Sequence, residues 1–194
     1  MQALGIDLGL RTGAVMRVQT WQGESGPARL HDYQPIWANT LGKRSRAERR
    51  RNPRREERDP LSIAFVGKEM LRAIDEKVPA KLLPGMAVGI DWSFYEGYMG
   101  NRRIASEKAF LAGFLYRGLL ERGMVPIIIP PSVVRGKLGL AKTASKTLVH
   151  EALLPRMMEG LSTVLLSDHE RDAMILAYLA ASAKEDAWSS RSHD

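Results

Sequence analysis

Short apolar runs are spaced along this chain in a pattern that predicts an α/β fold. The runs at 2–8 and 13–18 are separated by glycines and predict a β-hairpin, and residues 29–38 add a third strand. Beyond them, helical periodicity and short apolar runs alternate: we predict helices at 60–77, 103–122, 144–154 and 168–185, and strands at 86–90 and 125–129. Three strands followed by alternating helices and strands predict a mixed five-stranded sheet flanked by helices.

The composition is that of an ordinary globular protein of 194 residues, with 44% hydrophobic and 26% charged residues. We expect one domain over residues 1–187, with a basic insertion at 43–58 and a flexible tail at 188–194. The absence of cysteine excludes disulfides, thiol nucleophiles and cysteine-based zinc sites. No apolar stretch approaches the roughly 18 residues of a membrane span, and the N-terminus has no pattern of a secretory signal. We therefore expect a cytoplasmic protein, in the host cytoplasm if its origin is viral.

One segment carries most of the chain's net charge of +7. Residues 43–58 hold nine cations and three acids, and eight of the nine cations are arginines. A merely solvated charge run more often uses lysine and glutamate, whereas the planar arginine fork suits phosphate. The segment therefore predicts contact with a nucleic acid. Its candidate phosphate ligands are Arg49, Arg50, Arg51, Arg54 and Arg55.

Two of the predicted strands end in an aspartate. Asp7 follows the first apolar run, between two glycines, and Asp91 follows the run at 86–90. Groups at the strand ends of α/β sheets project into the crevice where ligands bind. A strand-end aspartate can equally cap a turn or a helix, so neither residue alone identifies a site.

A third acid lies within the last predicted helix. Ser167 and Glu170 have the spacing of a capping box, which accounts for the start of that helix. It does not account for Asp172, which is followed at helical spacing by an apolar stripe of Leu176, Leu179 and Ala183. A carboxylate on a core-facing stripe is costly unless it is paired or binds a cation. His169 shares that side of the helix because it lies three residues earlier.

Asp7, Asp91, His169 and Asp172 together form a set of hard metal ligands. Oxygen ligands with one imidazole suit Mg²⁺ or Mn²⁺ better than zinc. Combined with a polyanion-binding segment, this set predicts two-metal phosphodiester hydrolysis, in which one ion generates the attacking hydroxide and the other stabilises the leaving oxygen. We expect two Mg²⁺ ions in the site, with Mn²⁺ as a substitute.

Four sequence motifs, taken in order, resemble those of one family. They are Gly-Ile-Asp-Leu-Gly at 5–9 followed by Thr12-Gly13, the Asp91 motif at 90–94, the stretch at 130–135 with the basic loop at 139–146, and His-Glu-Arg-Asp-Ala at 169–173. Their order and spacing are similar to those of the RuvC Holliday-junction resolvases of the RNase H-like superfamily, and the resemblance extends over about residues 2–183. The family usually carries Glu where this chain has Asp91, and the segment 43–58 is an insertion relative to it.

The resemblance implies an RNase H-like fold and a homodimer with two active sites. It further implies an endodeoxyribonuclease that makes paired symmetric nicks at four-way DNA junctions, in recombination and repair. Lys142 and Lys146 fall where the resemblance implies DNA contacts, and Arg135, in the motif before them, is a further candidate DNA contact. Phe94 falls where the family carries an aromatic residue that stacks on a junction base, although a strand-end phenylalanine can also belong to the core.

Three other functions fit parts of the sequence. A related nuclease that cuts flaps or forks would have an identical active site. A non-catalytic module would use the fold and the basic segment to hold nucleic acid, but a buried Asp172 near other carboxylates would then be destabilising without a metal. The first motif also occurs in actin-like ATPases, which need a longer chain and a second phosphate loop.

Overall fold

The computed structural model describes residues 1–9, 13–21, 29–38, 60–92, 102–157 and 166–189. The strands are β1 (Gln2–Asp7), β2 (Ala14–Trp21), β3 (Arg29–Ala38), β4 (Ala87–Asp91) and β5 (Val125–Ile129). The helices are α1 (Pro60–Lys77), α2 (Arg102–Glu121), α3 (Pro131–Lys137), α4 (Lys146–Met157) and α5 (Asp168–Ser189), with a 3₁₀ turn at Ala80–Leu82. The basic segment 43–58, Phe94 and residues 190–194 of the predicted tail lie outside the described residues.

The strands form one mixed five-stranded sheet in the order β3-β2-β1-β4-β5. The first three strands pair antiparallel, as the predicted hairpin and its third strand require. β4 then pairs in parallel with β1, and β5 in parallel with β4, because each is reached through a helix that crosses back over the sheet. The predicted fold class is confirmed, and β1 and β4 are neighbours whose carboxyl ends lie at the same edge.

The helices differ from the sequence prediction in three places. α3, which starts at Pro131, is not among the predicted helices; proline at its first position sacrifices no intrahelical hydrogen bond. α4 starts at Lys146 rather than 144, since Ser145 caps it by accepting a hydrogen bond from the Leu148 amide at 3.2 Å. α5 continues to Ser189, into the segment that was assigned to the tail. None of the described helices is long and apolar enough to cross a membrane.

The two faces of the sheet carry side chains of different size, because successive side chains of a strand point to opposite faces. On the large-residue face, β1 and β4 pack with α1 and α2 through Leu4, Ile6, Val88 and Ile90. On the small-residue face, which α5 covers, the same strands present Ala3, Gly5, Ala87 and Gly89. Each face has its own buried apolar cluster, and the sheet is buried between them.

Candidate metal centre

The candidate site is built on two strands with nearly the same sequence. β1 contains Ala-Leu-Gly-Ile-Asp at 3–7 and β4 contains Ala-Val-Gly-Ile-Asp at 87–91. These segments are aligned in parallel, with Ala3 opposite Ala87 and Gly5 opposite Gly89. Each aspartate therefore follows the small residues of its strand on the same face, and both reach the cavity at the carboxyl edge of the sheet. This short repeat escaped the sequence analysis, although the two motifs were identified separately.

The glycines of the two strands let the backbone of α5 approach the sheet. A Cβ atom on Gly5 would collide with the carbonyl oxygen of Ala173, and one on Gly89 would collide with that of Leu176. Glycine at these two positions is therefore a packing requirement. The close approach brings the first turns of α5 alongside the end of β1, where Asp7 lies.

The start of α5 is set by the predicted capping box, which is confirmed. The Ser167 amide donates to Glu170 Oε2 at 2.8 Å, and the Glu170 amide donates to Ser167 Oγ at 3.3 Å. With the helix beginning at Asp168, His169 lies in the first turn and Asp172 one turn further along the same side. The stripe below Asp172 is apolar as expected, with Leu176 and Leu179 buried.

Asp7, His169 and Asp172 form a compact cluster. Asp7 Oδ2 lies 2.5 Å from His169 Nδ1. One ligand atom from each of the three residues lies within 4.8 Å of those of the other two. Asp91, the fourth predicted ligand, lines the same cavity without joining that cluster, and its Oδ2 lies 3.6 Å from Lys108 Nζ. The structure thus brings together three of the four predicted ligands and places the fourth beside them.

Sequence reasoning missed two basic residues at this site. Lys108 of α2 contacts Asp91, and its position three residues before the fully buried Leu111 could have indicated a lysine on a core-facing stripe. His150 of α4 is buried, and its Nε2 lies 2.6 Å from Asp172 Oδ1. Its signal was the four-residue spacing from Lys146, which puts both side chains on one side of α4.

Lys146, predicted as a DNA contact, forms an ion pair with Asp172 Oδ2. Burial lowers the pKa of the Lys146 ammonium, but the charge and hydrogen bond of Asp172, with help from Asp7 and Asp168, more than offset it and raise that pKa overall. Lys146 therefore stays charged at neutral pH. A positive charge beside the acids is suited to binding phosphate.

The other predicted DNA contacts have different environments. Arg135 lines the cavity and its Nε donates a hydrogen bond to the Ala144 carbonyl at 3.0 Å, which ties α3 to the loop before α4. Lys142 is exposed in that loop. Phe94, Arg49, Arg50, Arg51, Arg54 and Arg55 lie outside the described residues.

The cavity, of about 360 Å³, has the composition of a metal and phosphate site. Its acids are Asp7, Asp91 and Asp172, and its cations are Lys108, Arg135 and Lys146. The Asp7 side chain is only 10% exposed, and a buried carboxylate is costly without a cationic partner. Two carboxylates and an imidazole within reach of one another match the ligands of Mg²⁺ or Mn²⁺, so the residues fit the ions that the sequence predicts.

No protein-family model and no curated protein matches the sequence. The strand order, with helices on both faces, is that of an RNase H-like fold. The chain is similar to Thermus thermophilus RuvC, with 16% identity and a TM-score of 0.59, and to T. thermophilus RuvC in complex with a Holliday junction substrate, with 20% identity and a TM-score of 0.60; 93% of each chain is covered in both cases. It is also similar to the yeast mitochondrial Holliday junction resolvase Ydc2, with 14% identity and a TM-score of 0.53 over 91% of this chain and 75% of that one. At these identities the likeness confirms the RuvC fold, and the chemistry depends on the site residues.

Proposed function

We propose that this protein is a Mg²⁺-dependent, structure-selective endodeoxyribonuclease that resolves four-way DNA junctions. The observation that carries the proposal is the cluster of Asp7, His169 and Asp172, whose ligand atoms lie within 4.8 Å of one another in a cavity that also holds cations. The same fold occurs in a RuvC structure that contains a Holliday junction substrate. A role in DNA recombination and repair follows from that substrate.

The catalytic residues in this proposal are Asp7, Asp91, His169 and Asp172. They would hold two Mg²⁺ ions, with Mn²⁺ as a substitute, and such ions supply Lewis acidity for phosphodiester hydrolysis. The low exposure of Asp7 and Asp91 restricts water around the carboxylates, which strengthens their hold on cations. The chain would act as one nuclease domain, predicted over 1–187 and extended to Ser189 by α5.

DNA would be bound by two groups of cations. Arg135 and Lys146 line the cavity, and Lys142 is exposed on the loop between them, so this group would contact phosphates next to the cut. The second group, in the basic segment 43–58, would contact other phosphates and add affinity without reading sequence. It comprises Arg49, Arg50, Arg51, Arg54 and Arg55. Phe94 would stack on a base at the junction centre.

We also propose a homodimer, formed through an exposed stripe on the outer side of α2. The stripe comprises Ala109, Gly113, Tyr116 and Leu120, whose four-three-four spacing keeps them on one line of the helix. Tyr116 is 39% and Leu120 52% exposed, and the space around Gly113 is open. A second copy of α2 would fit along such a stripe. A two-fold axis there would supply two active sites for the two equivalent strands of a four-way junction.

A panel of labelled DNA substrates tests the proposed activity. With Mg²⁺, we expect paired symmetric nicks in four-way junctions, weak cutting of flaps and forks, and none of linear duplex. Preferential cutting of flaps or forks would replace the junction assignment by the related nuclease activity. Binding of every branched substrate with no cleavage in Mg²⁺ or Mn²⁺ would identify a non-catalytic binding module.

A further inference from the structure

We propose that His150 is a positioning residue that holds the Asp172 carboxylate in the orientation required to bind a divalent cation. The inference rests on the proposed function, because it assigns a role to a residue beside the same metal centre. It adds a supporting residue of α4 to a set of metal ligands that lie at the ends of β1 and β4 and on α5.

The contact between His150 and Asp172 joins two helices. His150 is 7% exposed, and its Nε2 lies 2.6 Å from Asp172 Oδ1. An ionised carboxylate can only accept hydrogen bonds, so the imidazole Nε2–H is the donor. The imidazole therefore determines which way one oxygen of Asp172 faces.

The second carboxylate oxygen has a different partner. Asp172 Oδ2 pairs with Lys146, so each oxygen of the carboxylate contacts one basic side chain of α4. The Lys146 side chain is 48% exposed, whereas that of His150 is only 9% exposed. A long hydrated ammonium can move aside at small cost, but a buried ring cannot. The geometry thus makes Lys146 the exchangeable partner of Asp172 and His150 the permanent one.

A permanent partner matters because Asp172 can rotate about its side-chain bonds. Hydrogen bonds from outside the ligand set fix the orientation of ligating groups, and their loss typically weakens metal binding about 10–100-fold. In this role His150 contacts no substrate and no metal. A purely structural role, in which His150 only ties α4 to α5, would affect folding and leave cation affinity unchanged.

The test measures the Mn²⁺ affinity of the full chain by titration calorimetry in the absence of DNA. Thermal unfolding of each variant is measured in parallel. His150→Leu removes the donor, whereas His150→Gln keeps an N–H group near the position of Nε2. We expect the Leu variant to bind Mn²⁺ about 10–100-fold more weakly than the wild type and the Gln variant to recover most of the affinity. The matched control is His31→Leu, which changes an exposed histidine of β3 and should leave the affinity unchanged. If the Leu variant does not fold, His150→Asn takes its place, since its amide is one methylene too short to reach Asp172.

A second readout uses cleavage of four-way junctions. Excess Mg²⁺ should restore the turnover of His150→Leu, and its KM for DNA should equal that of the wild type. Wild-type Mn²⁺ affinity in folded His150→Leu or His150→Asn would overturn the inference alone. Absence of Mn²⁺ binding by the wild type would overturn both the inference and the proposed metal-dependent nuclease.

Discussion

On the large-residue face, the sheet packs against α1 and α2 through fully buried side chains such as Met70, Leu111 and Leu115. On the small-residue face, alanines of α5 meet alanines and glycines of β1 and β4, and the two backbones lie almost in contact. The first arrangement is a layer of large apolar side chains. The second leads directly to Asp7 and Asp91 at the ends of its two strands.

The two faces therefore contribute differently: the large-residue face mainly to stability, and the small-residue face mainly to the geometry of the site. A layer of large side chains can relax partly around a substitution, so its loss is felt mainly in the free energy of unfolding. A backbone-to-backbone contact such as that between Gly89 and Leu176 has no side chain to rearrange, so an added atom must displace the helix. We expect variants on the two faces to differ accordingly in what they change.

The largest effect is expected at the end of the small-residue face. Asp7→Asn removes a charge and keeps the shape of the side chain, so folding and junction binding should persist. Cleavage should fall more than about 100-fold, because loss of a residue that only supports a metal ligand already lowers metal affinity or activity about 10–100-fold. Gel-based cleavage and binding assays would measure this. Asp168→Asn, which changes an exposed acid on α5, is the matched control. Near wild-type cleavage by Asp7→Asn would contradict the site.

The second prediction compares the faces directly. Gly89→Ala should cost about 1–3 kcal/mol of stability by overpacking and lower turnover up to about 100-fold, since α5 and its site residues are displaced. Leu115→Ala on the large-residue face should cost more stability, about 2–5 kcal/mol, and keep near wild-type turnover below its unfolding temperature. Thermal unfolding and cleavage rates measure both quantities. Equal losses of turnover in the two variants would show that the two faces do not differ in their effect on the site.

The third prediction concerns His169, which the small-residue face places beside Asp7. His169→Asp should retain appreciable cleavage, because a carboxylate also suits Mg²⁺, whereas His169→Ala should lose about tenfold or more. Cleavage rates at saturating Mg²⁺ compare the two. Equal losses would indicate proton transfer or a structural role in place of metal binding.

The fourth prediction concerns the outer side of α2, one of the two helices that cover the large-residue face. Leu120→Lys should weaken the proposed dimer at least about tenfold, which corresponds to about 1.4 kcal/mol, because it places a charge in the apolar stripe. Sedimentation measures the assembly state. Phe65→Lys is the control, since Phe65 is 63% exposed on α1 and outside the stripe. A wild-type monomer that still makes paired nicks would exclude the dimer.

The smallest effect on turnover is expected from the basic segment at 43–58, which contains none of the proposed metal ligands. Replacing Arg49, Arg50, Arg51, Arg54 and Arg55 by Ser should lower the slope of log affinity against log salt by about two to four units, because each engaged cation contributes about 0.9. Turnover at saturating DNA should be unchanged. Binding titrations at several salt concentrations provide the slope. An unchanged slope would leave Arg135, Lys142 and Lys146 as the main phosphate contacts.

The sequence by itself determined the helices and strands, and it indicated which strand ends and which helix carry the candidate site residues. Short apolar runs and helical periodicity predicted the strands and the long helices, because each pattern reflects which side chains an element must bury. β2, α4 and α5 extend further along the chain than predicted. The Ser167 capping box placed the start of α5, and with it the relation between His169 and Asp172. These are local properties, encoded within a few residues of one another.

Only the tertiary structure decided which side chain meets which. Asp7 and His169 are 162 residues apart, and Asp172 and His150 are 22 apart on different helices. Periodicity predicts which side of a helix is buried. Which residue of a neighbouring element that side contacts depends on how closely the two elements pack. Here the packing depends on Gly5 and Gly89, which admit the backbone of α5 and so set the distances among the acids. The pairing of Lys108 with Asp91 and of His150 with Asp172 arises from that packing, which no single segment of the chain contains.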